Sequence, residues 1–207
     1  MPNHTATILN IFGPQEDIKS FIKLVDKGND NHFDFNGIIP MPKELIGTSS
    51  PVRIQTQEEI DKIWTRFNDL PNEDWEKKQG IPFGLGITQE KHDELIKKYG
   101  YADWHSWSIN VWGTKWGAYD ASEWTVFDGV ATINYQTAWS PADAFFEKAS
   151  IKFPTLTFKQ KFADEGGGFL GYNEYQNGKL LNSVNYEWDS EEGIALRREL
   201  GVYYDDE

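Results

Sequence analysis

The sequence predicts an α+β protein whose strands form one antiparallel sheet. Three observations carry this. Alternating, β-branched stretches mark strands near both ends of the chain. Apolar residues at helical spacing separate them. Between about residues 40 and 100 the strand signals give way to helix caps, prolines and glycines, which predicts a mostly helical insertion inside a single domain of 1–207.

Residues 5–12 alternate as a strand, and Gly13-Pro14 ends it. Ile18, Phe21, Ile22 and Val25 then recur on one helix face. Residues 28–36 are polar and read as a loop; 35–45 are irregular, with Pro40 and Pro42 holding the chain extended. Thr56 and Glu59 form a capping-box pattern ahead of a helix whose face is Ile60, Ile63, Trp64 and Phe67. A loop over 71–87 and a short helix over 88–99, stopped by Gly100, complete the insertion.

Strands are expected to resume over 104–112 and 126–136. Ser140-Pro141 opens a helix, with Ser140 as its cap and Phe145, Phe146 and Ala149 as its inner face. Residues 155–162 alternate again, and the glycines at 166–168 turn the chain. Asn177-Gly178 joins strands over 169–176 and 179–188 as a hairpin. Ser190 caps a last helix, with Glu191 and Glu192 early and Arg197 and Arg198 late, as the helix dipole favours. Without the insertion the order is βαββαβ, the ferredoxin-like arrangement, and the C-terminal hairpin and helix extend it.

The formal net charge of −13 over 207 residues weighs against a general nucleic-acid binder, which needs a basic surface. An acidic surface serves solubility, and it also suits docking on a basic partner. The chain has no cysteine, so disulfides, thiolate zinc sites and iron–sulfur clusters are excluded. Apolar runs are too short for a membrane span, and the opening Met-Pro-Asn-His lacks a secretory pattern, so a cytoplasmic protein is expected.

The densest signal is Asn110-Val-Trp-Gly-Thr-Lys-Trp-Gly-Ala-Tyr-Asp120, with Thr137-Ala-Trp-Ser-Pro141 behind it. Six of the nine tryptophans lie between Trp104 and Trp139, which makes this stretch either a core or the wall of a recess. These segments, together with Met-Pro-Asn at the start, Phe-Asn-x-Ile-Ile-Pro-Met-Pro at 35–42 and Phe-Pro-x-Leu near 153, resemble the Api92-like proteins of phages and plasmids. The resemblance implies a ferredoxin-like domain and a mobile-element origin, and brings no catalytic residues. Where the family often carries tryptophan and cysteine after the first Asn, His4 and Thr5 stand here.

Asn110, Trp112, Thr114, Lys115, Trp116, Asp120 and Trp139 are therefore the candidate binding residues. Two readings stay open for them. The rings stack on a planar anion whose charge meets Lys115, or Trp112 and Trp116 fill a core while Lys115 reaches out to water. Ser140 is read as a helix cap before an anion site, and Glu165–Phe169 as a turn before a phosphate loop. His4, His32, His92 and His105 show no metal spacing, and no cofactor or catalytic set emerges. The expected function is non-catalytic: binding and inhibition of a host, defence-related protein through an acidic, aromatic-rimmed surface. The alternative is a nucleotide-like ligand held near Lys115. An open sheet edge leaves pairing with a second copy open.

Overall fold

The computed structural model describes residues 3–28 and 32–202. The first two residues of the opening motif and the acidic end, Asp205-Asp206-Glu207, lie outside the described residues. The strands are β1 (His4–Phe12), β2 (Thr125–Phe127), β3 (Val130–Ala138), β4 (Thr157–Asp164), β5 (Leu170–Gln176) and β6 (Lys179–Asn185). The helices are α1 (Gln15–Val25), α2 (Gln57–Asp69), α3 (Trp75–Gln79), α4 (Gln89–Tyr99), α5 (Trp104–Val111), α6 (Asp143–Lys152) and α7 (Glu191–Leu200). The chain divides into two units: Met1–Pro40 with Ile109–Glu207, and Met41–Ser108.

In the first unit all six strands form one antiparallel sheet in the order β2-β3-β1-β4-β5-β6. The first four, with α1 and α6, have the ferredoxin-like order, and the β5–β6 hairpin lengthens the sheet beyond β4. Period-two alternation assigns the faces. Leu9, Ile11, Ile133 and Phe158 are fully or almost fully buried, together with Ile18, Phe21 and Val25 of α1 and Phe145, Phe146 and Ala149 of α6. Each large side chain sealed there contributes roughly 1.5–3 kcal/mol. A 3₁₀ turn at Phe35–Gly37 lays Phe35 flat on Phe145, with ring centroids 4.0 Å apart. The Asn177-Gly178 turn has φ of 48° and 72°, the left-handed pair a two-residue hairpin requires. On the other face, α7 packs Leu196 against Ala163 and Leu170.

Two expected strands are corrected. Residues 104–111 form α5, a helix. Trp107, Ile109 and Val111 alternate, but Trp104, Trp107 and Val111 also follow helical spacing. The backbone N–H of Ser106 donates to Asp103 Oδ1 at 2.8 Å, a cap that tips the balance. The strand expected over 126–136 is instead β2, a turn and β3. Asp128 and Gly129 have φ of 47° and 75°, so Asp-Gly folds the chain back here. The two middle strands of the βαββαβ order are thus the arms of this hairpin.

Ser140 does not cap α6, which begins at Asp143. Its hydroxyl donates to the Gly113 carbonyl at 2.6 Å, while the Phe145 N–H reaches the Trp112 carbonyl at 3.1 Å as well as that of Ala142. The loop after α5 does the work expected of the serine.

In the second unit, Thr56 and Glu59 complete the expected capping box of α2, and Gly100 ends α4 in the left-handed conformation. Residues 71–87, expected as a loop, include α3. The buried Glu76 carboxylate accepts from both Arg66 terminal nitrogens and from the Phe83 N–H, each at 2.8 Å. These bonds, the arginine first, hold its pKa below the usual range.

Candidate functional site

The seven candidate residues separate by role. Trp112 belongs to the core: it is 4% exposed, its indole N–H donates to the Ile39 carbonyl at 3.0 Å, and its ring meets Phe35 edge-on. Thr114 is also buried, and its hydroxyl donates to the Trp116 carbonyl, closing the loop on itself. Gly113 adopts φ 85°, and a side chain there would press on the Ala144 backbone N at 3.2 Å. Asn110, at the end of α5, and Asp120 are exposed.

Lys115, Trp116 and Trp139 come together. The Lys115 ammonium lies 4.7 Å from the ring centroid of Trp116 and 4.7 Å from that of Trp139, between two indoles. Trp116 is half-buried and meets Tyr119 edge-on. Trp139 is 43% exposed and holds a φ of 77°. That conformation strains a bulky residue. It is reached because β3 ends at Ala138 and the Trp139 N–H turns to the Asn3 carbonyl at 3.0 Å.

The same end of the sheet carries residues that the sequence did not single out for the site. The β1–β3 register sets His4 opposite Ala138, one residue before Trp139. His4 Nδ1 lies 2.5 Å from the Tyr119 hydroxyl, which is also 3.2 Å from the Thr137 carbonyl. A phenol has one proton, so where Tyr119 donates to the carbonyl, the His4 N–H donates to Tyr119. Burial, then the charges of Asp120 and Glu165, push the Tyr119 phenol up to about 12. The His4 backbone N–H donates to Glu165 Oε1 at 2.8 Å. The glycine-rich stretch after Glu165 turns β4 into β5, as expected. A recess of about 240 Å³ opens beside His4, lined by Ala6, Gln136, Glu165 and residues 200–202. The only sequence signal for this grouping was the proximity of His4 to the opening motif.

The tryptophans do not form one pocket. Trp107 and Trp112 are buried, whereas Trp104, Trp116 and Trp124 are half-buried. Trp124 donates its indole N–H to the His32 carbonyl at 2.7 Å and packs on Phe21 and Phe33. Asp103, the acidic neighbour of His105, is spent on the α5 cap. Among the described residues no cluster of three or more histidines and carboxylates gathers as a metal site, and no helix is long and apolar enough to cross a membrane.

Residues 112–203 match the family model described as the ferredoxin-like domain in Api92-like protein. The protein Api92 from Yersinia pseudotuberculosis is a similar solved structure, at 12% identity. The alignment spans 90% of this chain and 98% of that one, with a TM-score of 0.46. No curated protein matches the chain.

Proposed function

We propose, from the match of residues 112–203 to the ferredoxin-like domain in Api92-like protein, a non-catalytic protein that binds and inhibits a host protein. The contact surface is centred on Lys115, Trp116 and Trp139. The observation that carries this reading is Trp139: an indole 43% exposed, in a strained backbone conformation, over a lysine. Strain of this kind is retained where a side chain must be displayed, and exposed tryptophan is the residue type that most often anchors a protein interface. Exposed Asp120 and Glu165, whose charges act on Tyr119 beside Trp116, supply an acidic rim for a basic partner. The mobile-element origin implied by the Api92-like resemblance makes a host defence protein, met in the host cytoplasm, the natural target.

The reading of a nucleotide-like ligand at Lys115 is the weaker one. One face of each indole is already turned to the ammonium. It predicts that a nucleotide library raises the melting temperature and that Lys115→Ala removes the shift. The preferred reading predicts capture of a host protein at low salt, weakening as salt rises. Capture is lost with Trp139→Gly while the circular dichroism stays unchanged. If wild type and Trp139→Gly retain the same proteins, this surface is not the contact.

A further inference from the structure

The outer face of the sheet is only partly covered. Beside α7 a recess of about 320 Å³ stays open, lined by Tyr172, Tyr186, Leu196 and Ala195 with Lys159, Lys161, Glu192 and Glu199. Its floor follows from register. Lys161 pairs with Tyr172 across β4 and β5, and Lys159, two residues along, lies on the same face beside Glu174. The volume is at the lower end of the range of roughly 300–1,000 Å³ that small-molecule sites occupy. The lining has their character too, with aromatic and aliphatic walls and a few charged groups.

The two lysines differ. Lys161 is matched by Glu199 at 2.5 Å. The Lys159 side chain is only 26% exposed, and its ammonium sits 4.0 Å from the Tyr172 ring centroid. Its carboxylate partner, Glu174, stands at 3.8 Å, beyond hydrogen-bond reach. An ammonium has three donors, and neither a ring face nor a carboxylate at that distance satisfies them as an oxyanion would. Glu192 is exposed at the rim, where water and salt screen it.

We infer that this recess binds a small organic anion with a flat apolar body. The anionic group, a carboxylate or a phosphate, sits on Lys159, and the body lies against Tyr172, Tyr186 and Leu196. The site shares no residue with the Lys115 surface and stands or falls without it.

Titration of the isotope-labelled full chain with sodium phenylacetate, phenyl phosphate and phenethylamine, followed by amide NMR, tests this. Saturable shifts at Tyr172, Tyr186 and Leu196 are expected with at least one anion, and the one that binds more tightly tells carboxylate from phosphate. Phenethylamine leaves those signals in place. Lys159→Met weakens the anion about tenfold or more, as loss of a charged hydrogen bond implies. Lys159→Arg retains binding, and Lys115→Met changes nothing. Should Lys159→Met not fold, Lys159→Gln takes its place. Absence of saturation by both anions, equal binding by a folded Lys159→Met, or saturation of the same residues by phenethylamine would overturn the inference.

Discussion

Two residues carry conflicts between local and global demands. Asp143, in the first turn of α6, accepts from Asn173 Nδ2 at 2.8 Å and from Gln160, yet burial raises its pKa above the ordinary range. The side-chain oxygens of Gln160 and Asn173 have no hydrogen-bond partner. A raised pKa means that the folded state holds the proton more tightly than the unfolded chain. The associated stability is fully present below the unfolded value near ~4 and is lost as pH rises through the folded value. Asp143→Asn removes the buried charge, and its amide oxygen still accepts from Asn173 and Gln160. Urea unfolding should find it as stable as wild type or more so at pH 7, with the difference shrinking as pH falls toward about 4. An advantage that grows on acidification would refute this. Trp139 is the second case. Left-handed backbone costs a bulky residue about 1–2 kcal/mol, and the ring over Lys115 returns about 0.5–1 kcal/mol. Glycine adds its own entropic cost of about 0.5–1 kcal/mol. Burial of roughly half the indole adds about 1–2 kcal/mol to the loss, so Trp139→Gly should cost no more than about 2 kcal/mol. A much larger loss would make the indole a structural group.

At the scale of elements, short turns decide the sheet. Asp128-Gly129 and Asn177-Gly178 use the same left-handed geometry, and each fixes a register. A side chain on Gly178 would meet Ile151 Cγ1 at 2.6 Å in addition to the φ penalty. Gly178→Ala should cost roughly 1–3 kcal/mol in chemical denaturation, and Ile151→Ala, which removes Cγ1, should recover part of it in the same chain. No recovery would locate the whole cost in the backbone. The Asn-Gly hairpin was legible because flanking alternation framed it. The Asp-Gly turn was equally present in the sequence, but the apolar run from Val126 to Tyr135 hid it. Likewise α5 was obscured because its tryptophans satisfy both periods, and the Asp103 cap that decides between them is one residue outside the run.

For the molecule as a whole, the net charge of −13 is the dominant electrostatic fact. Ion pairs such as Lys161 with Glu199 and Lys19 with Glu16 lie at the surface and contribute little each. Self-repulsion should prevail over them. The melting temperature is expected to rise between about 10 and 150 mM salt, as the screening length falls from roughly 30 to 8 Å. A fall over that range would mean that the ion pairs outweigh the repulsion.

The chain's own pattern determined the class of fold, the helices at 15–25, 57–69, 89–99 and 191–200, the C-terminal hairpin and the acidic surface. Each is written in periods, caps and composition that act over a few residues. Tertiary structure decided the rest: whether 104–111 coils or extends, which hydroxyl satisfies the start of α6, and which tryptophans are sealed and which displayed. Those outcomes depend on pairings between segments dozens of residues apart, such as His4 with Ala138 or Ser140 with Gly113. Contacts of that range are set by sheet register, which no local window of sequence contains.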